Sequence, residues 1–174
     1  MKIYVCVKHV PDTAAKITII GKNRIDERVT FIMNPYDENA IEEAARIKRE
    51  VGDGEVIAVT LGKPAAEATL RSALAMGADR GILITTDSYP DSLVTAAALK
   101  AAIESDGKPN IIFTGKESID SEGFQTMYRL AAGFGMPAAS NVVSFRLEPG
   151  SAVVECELEA GAREVLKLSL PCVI

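Results

Sequence analysis

Three features of the sequence predict an α/β fold with a mainly parallel, twisted sheet covered by helices. Short apolar runs alternate with helical patterns, Gly and Pro punctuate most changeovers, and from Ala138 the pattern switches to alternating strands. Met1 to Lys8 reads as a buried first strand. Ile17 to Ile20 and Val29 to Ile32 flank the polar stretch Gly21 to Arg28 and suggest a small hairpin excursion. Pro35 then opens a helix with Asp37 and Glu38 in its first turn, where acids complement the dipole. Ala40, Ala44, Ile47 and Val51 give that helix its apolar stripe, and Gly52 to Gly54 ends it.

Glu55 to Leu61 is the second long strand, followed by Pro64 near a helix start and Gly77 at its close. Arg80 to Thr85 forms the next strand. Asp87, Ser88 and Pro90 signal a further helix with Ala96, Leu99 and Ile103 on its buried face. Asn110 to Thr114 follows as a strand, and a last helix is expected from about Gly123 to Gly135, with Met127, Leu130, Ala131 and Phe134 inward. Val142 to Leu147 and Ala152 to Leu158 flank the turn signal Glu148-Pro149-Gly150-Ser151. With Glu164 to Leu170 they read as antiparallel strands appended to the parallel core.

The 174 residues fit one domain, and 48% hydrophobic against 25% charged residues supports a sizeable core. A net charge of −5, from 24 acids and 19 bases, argues against nucleic acid as the main partner. No apolar run approaches the roughly 18–20 residues a membrane span requires, so no membrane insertion is expected. Cys6, Cys156 and Cys172 form no CxxC pair and read as buried thiols in a reducing compartment, with the cytoplasm as the default location. His9 is the single histidine, and no nucleophile, metal-ligand or P-loop pattern accompanies it. Binding is therefore expected rather than bond-making chemistry.

In an open parallel sheet a ligand sits beyond the carboxyl ends of the strands. Lys8 to Thr13, Thr60 to Lys63 and Gly115 to Thr126 converge on that edge. In the last of these, amides at a helix start with the Ser121 and Thr126 hydroxyls suit a phosphate, and Gly123 suits close approach of the backbone. An ordinary capped β–α loop explains the same residues equally well. Tyr36, displayed by Asn34-Pro35, offers an aromatic edge to a flat ligand; a packing staple at the helix entry is the simpler reading.

Several segments carry a more specific signal: Val5-Cys6-Val7-Lys8, Met33-Asn34-Pro35-Tyr36-Asp37, Glu42-Glu43-Ala44 and Glu55-Val56-Ile57-Ala58-Val59. The run from Thr69-Leu70-Arg71-Ser72 through Met76-Gly77-Ala78-Asp79-Arg80-Gly81 is the most distinctive. Gly115-Lys116, Ile119-Asp120, Gln125-Thr126 and Leu168-Ser169-Leu170-Pro171 complete the series. In this order, along essentially the whole chain, they resemble the electron transfer flavoprotein β-subunit family.

The resemblance implies a Rossmann-like fold of the adenine-nucleotide-hydrolase type and a heterodimer whose α subunit holds most of an FAD. The β subunit would contribute to the flavin environment and bury one AMP in a structural role, with no catalytic residue of its own. By resemblance the cofactor-binding residues are Cys6, Asn34, Pro35, Tyr36, Asp37, Leu61, Gly115, Lys116, Asp120, Ser121, Glu122, Gly123, Phe124, Gln125 and Thr126, and Tyr36 matches an aromatic position near the flavin ring. The implied role is to carry electrons from flavoprotein dehydrogenases, such as acyl-CoA dehydrogenases, to a membrane quinone reductase. Phe124 departs from the family's loop and would crowd or stack on a nucleotide, Thr13 stands where an aromatic residue is common, and Thr126 leans towards AMP. The family continues past the Leu-Pro corner with an arm around the α subunit, so residues 1–174 are expected to form a single nucleotide-binding domain without it. The alternatives are an electron-bifurcating subtype with a second FAD in the AMP slot, or a stand-alone adenine-nucleotide-binding protein of the stress type. The latter's glycine-rich phosphate motif is missing.

Overall fold

The computed structural model describes residues 1–22 and 24–174. In chain order, β1 is Lys2–Cys6, β2 His9–Pro11, β3 Ile19–Ile20, β4 Arg24–Ile25 and β5 Phe31–Met33, followed by helix α1 at Pro35–Val51. Next come β6 at Glu55–Gly62, α2 at Glu67–Met76, β7 at Arg80–Thr85, α3 at Ser92–Asp106 and β8 at Ile111–Thr114. Helix α4 is Thr126–Phe134, and β9 Val142–Glu148, β10 Ser151–Glu157, β11 Arg163–Ser169 and β12 Cys172–Val173 close the series. A five-stranded sheet with order β12-β8-β1-β6-β7 forms the centre, and every neighbouring pair in it is parallel. The three C-terminal strands β9 to β11 make a separate antiparallel sheet, as their alternating pattern predicts.

Strand β1 alternates its contacts between two layers, since successive side chains point to opposite faces. Ile3 and Val5 join α1, α2 and the inner face of the antiparallel sheet, including Phe145, Val154 and Leu168. Tyr4 and Cys6 join α3 and α4 through Leu99, Ile103, Met127 and Leu130. Met127 and Leu130 are buried, and burial of each such side chain contributes about 1.5–3 kcal/mol, which fixes α4 by its first turns. On α1 the buried stripe is Ala40, Ile41, Ala44, Ala45 and Ile47. Val51, expected inward, is exposed in the last turn, because the stripe runs out before the helix does.

Three expectations need correction. The excursion after β1 is two nested hairpins. Strand β3 pairs β4, whereas β5 returns to pair β2, with His9 opposite Met33 and Pro11 opposite Phe31. Helix α4 starts at Thr126, not near Gly123, because Glu122 and Phe124 hold left-handed backbone angles that a helix cannot include. The cap of α3 is Asp91, whose carboxylate accepts from the Leu93 and Val94 amides, rather than Asp87 or Ser88.

Candidate functional site

Numbered outward from the middle, the central sheet begins at β1, extends through β6 to β7 on one side and returns through β8 to β12 on the other. Strand order therefore reverses between β1 and β8, which is where an open α/β sheet binds ligands, beyond the strand ends. Cys6 stands level with Thr114 on β8 and with Val59 on β6. Lys8, Leu61 and Gly115 thus follow from three neighbouring strand ends, as the sequence leads one to expect.

The Asn34–Asp37 segment is tied into this edge by its polar side chains. Asn34 donates from Nδ2 to the Glu117 carbonyl at 2.9 Å and accepts at Oδ1 from the Ile119 amide at 3.1 Å. Asp37 accepts the Lys8 amide at 2.8 Å on one carboxylate oxygen and the Gly115 amide at 3.0 Å on the other. Both residues are buried. The path needs glycine at 115 for steric reasons, since a Cβ there would stand 2.3 Å from Asp37 Oδ1 and 2.7 Å from Tyr36 Cβ. Burial pushes the Asp37 carboxyl up to about 7, against the pull of Asn34, the two amides and the Lys8 charge. The adjoining Cys6 thiol is pushed up to about 12, first by burial and then by Asp37, so it is an inert wall residue.

Lys8 organises the loop beyond β8, a role with no signal in the sequence other than a lysine closing an apolar strand. Its ammonium donates to Asp120 Oδ1 at 2.6 Å, Ser118 Oγ at 3.1 Å and Ser121 Oγ at 3.3 Å, and the two serine hydroxyls lie 2.7 Å apart. The left-handed turns at Glu122 and Phe124 then lead the chain into α4. Among the described residues no side chain caps that helix: Gln125, at the cap position, accepts at its Oε1 from the Arg129 guanidinium at 2.9 Å. The first amides of α4 thus carry no side-chain partner and have the geometry of an anion site, with the Thr126 hydroxyl beside them. An added Cβ at Gly123 would meet nothing within 4 Å. Phe124 packs edge-on against Tyr128, 5.9 Å between centroids, so its ring is turned along α4.

Tyr36, Gly115 and Lys116 also line a groove of about 550 Å³ between α1 and the chain around Asn141 to Phe145, with Met127 of α4 on its wall. The Lys116 ammonium lies 5.1 Å from the centre of the Tyr36 ring. Tyr36 is half-buried, with its ring beside Lys116 of the loop after β8. Cys6, Leu61 and residues 120–126 do not line this groove. The expected site residues fall into two groups, one over the strand ends and one on the groove. Asn34 and Asp37 are bonded to the segments that carry both. Pro35 opens α1 and is exposed, and Glu122 stands exposed at the loop tip.

Among the described residues no cluster of three or more His, Cys, Asp or Glu side chains is arranged to hold a metal, and no helix is long and apolar enough to cross a membrane. His9 has a structural setting, with Nδ1 2.8 Å from Thr69 Oγ1 and its ring stacked on Phe31 at 4.7 Å. Arg80 binds Glu55 at 2.7 Å and Asp106 at 2.6 Å, whereas Arg71 pairs with Glu67 at an exposed position.

The family profile described as "Electron transfer flavoprotein domain" matches residues 23–174. The chain is 37% identical to the electron transfer flavoprotein subunit beta of Syntrophomonas wolfei, covering all of this chain and 68% of that protein. It is 38% identical to the subunit of the same name from Dictyostelium discoideum, across all of this chain and 70% of that one. Likeness to the caffeyl-CoA reductase-Etf complex subunit CarD of Acetobacterium woodii is 37%, over the whole chain and 67% of that subunit. The chain spans about two thirds of the length of these relatives. With the profile covering most of its length and the relatives aligned from end to end of it, the chain belongs to the electron transfer flavoprotein family, on the side of its β subunits.

Proposed function

We propose that this chain acts as the β subunit of a heterodimeric electron transfer flavoprotein, with residues 1–174 forming one domain that holds AMP and completes the surroundings of an FAD carried mainly by the α partner. The observation that carries the nucleotide part is the open start of α4, set beside the Lys8-bound loop at the β1–β8 switch point. The residues present suit AMP. The α4 amides and the Thr126 hydroxyl supply donors for a single phosphate, and the edge at buried Cys6 and half-buried Leu61 supplies apolar surface for a base. The nearby Asp120 carboxylate is neutralised by Lys8. Tyr36 and Lys116, on the groove, offer a ring edge and a cation to a flavin held by another subunit.

The flavin supplies the redox chemistry when bound; the chain's own residues position, shield and tune it electrostatically. In this role the heterodimer takes electrons from flavoprotein dehydrogenases, such as acyl-CoA dehydrogenases, and delivers them to a membrane quinone reductase, working in the cytoplasm, where buried free thiols such as Cys6, Cys156 and Cys172 persist. Counting bound groups after co-expression with an α subunit tests this. One FAD and one AMP per heterodimer is the expected result. Two FADs would identify the bifurcating type, and a failure to form a flavin-containing complex would overturn the proposal.

A further inference from the structure

The hydrogen-bonded ladder between β1 and β8 ends where Cys6 faces Thr114. Beyond that point the strands part, and two amides that the ladder would have served, Lys8 and Gly115, both turn to the Asp37 carboxylate. The ion bridges the parting strands. Asn34, on the same turn, fixes the next stretch of loop through Glu117 and Ile119. These side chains are engaged by backbone of the neighbouring segments, so holding the loop is a role they already fill without a nucleotide. We propose that Asn34 and Asp37 are positioning residues for the nucleotide site: they hold the loop after β8 against the end of β1, and this grip is complete only while Asp37 is ionised. The inference rests on the crevice being the nucleotide site.

A carboxylate only accepts, and here each oxygen serves one amide. Protonation removes the charge and leaves one oxygen a hydroxyl, a poorer acceptor, so the hold on the two amides is weakened. The titratable groups bearing on Asp37 are Cys6 at the end of β1 and Lys8 just beyond it. From α1 and the loop it meets the Asn34 amide and the Gly115 N–H, and the charged residues after Gly115, Lys116 and Glu117, pair with each other at 3.5 Å. With burial raising the carboxyl to about 7, the proton is exchanged near neutrality.

The sign separates positioning from plain structural support. A raised folded pKa means that Asp37's contribution to stability is full below the unfolded carboxylate value of about 4 and is lost as pH rises through about 7. Grip on the loop runs the other way, completing as pH rises. Nucleotide affinity and fold stability should therefore move in opposite directions across that window.

The test compares wild type with Asp37→Asn between pH 5.5 and 8.5, measuring AMP affinity by calorimetry and stability by urea unfolding. The variant carries the same titration of AMP's own phosphate and so isolates the residue. Relative to the variant, wild-type affinity should rise roughly tenfold across the window, the worth of about one hydrogen bond, while its relative stability falls. Identical affinity profiles for the two proteins would overturn the proposal. If Asp37→Asn does not fold, hydrogen exchange on wild type decides instead: protection of the Lys8 and Gly115 amides should increase with pH relative to Val5, and a constant ratio would overturn it. Absence of AMP binding by wild type at every pH would refute the nucleotide reading, and the same protection factors would still decide for or against the clasp.

Discussion

Gly115→Ala is the substitution whose effect the structure determines most closely. The new methyl would stand 2.3 Å from Asp37 Oδ1, 2.7 Å from Tyr36 Cβ and 3.0 Å from the Tyr36 carbonyl carbon. Tyr36 cannot retreat easily, because it sits in the first turn of a 17-residue helix whose inner face is buried. Either the crowding persists, at about 1–3 kcal/mol for an overpacked site, or Asp37 withdraws and a charged hydrogen bond worth about 1.5–3 kcal/mol is lost. These are alternative relaxations of one clash, so the expected loss is about 2–3 kcal/mol rather than their sum. For a chain of this size that corresponds to a fall in Tm of roughly 4–12 °C. Thermal unfolding followed by circular dichroism measures it, with amide spectra of Lys8 and Ile119 reporting whether the loop has detached. A melting point within about 2 °C of wild type, with those amides unmoved, would refute the close approach on which the site is built.

Gly123→Ala, eight positions further along the same loop, should behave differently. Its methyl meets nothing and its φ is not in the left-handed region, so stability should hold or rise by up to about 1 kcal/mol, while AMP retention falls if the nucleotide lies against that backbone. Arg80→Met should cost about 1 kcal/mol, the partial exposure of the clamp limiting its worth, and should flatten the acid limb of unfolding. The reason is that the Arg80 guanidinium, assisted by the Tyr4 hydroxyl, holds Asp106 well below the usual carboxylate range. That stability is complete above about pH 4 and is lost as pH falls through the depressed pKa, which a urea series from pH 2 to 6 would reveal. Native protein should resist thiol labelling at pH 8, because Cys6 and Cys172 are buried and pushed up to about 12 and 11; rapid modification of either would contradict their burial.

Legibility followed punctuation. Pro35, Pro64, Gly52 and Gly77 mark helix ends whose backbone geometry they suit, and the near-continuous apolar runs of β1, β6 and β8 suit a covered parallel sheet. The short strands were different. Three residues at His9–Pro11 carry too little periodicity to announce a partner, so Val29 to Ile32 looked like the mate of Ile17 to Ile20, when Phe31–Met33 in fact closes back on β2. The start of α4 was hidden because left-handed angles at Glu122 and Phe124 are imposed by the loop's attachments and not by residue type. At the site, the resemblance marked Asn34 and Asp37 as ligand neighbours, whereas dipole arguments marked Asp37 as a first-turn acid. Neither shows that both side chains reach across to another strand's loop, since 78 residues separate Asp37 from Gly115.

Placing β1 at the centre of the sheet also bears on how the protein is made. Its two neighbours begin at Glu55 and Ile111, so β1 must wait for residue 55 to be made before it gains one partner and for residue 111 before it gains the other. Closing such distant pairs is slow, because chain entropy is surrendered before the contacts return it. A nascent chain halted before Ile111 therefore owns half a sheet and no crevice at all. A ligand seated between those two strand ends can therefore be taken up only once Thr114 and the loop after it have been made.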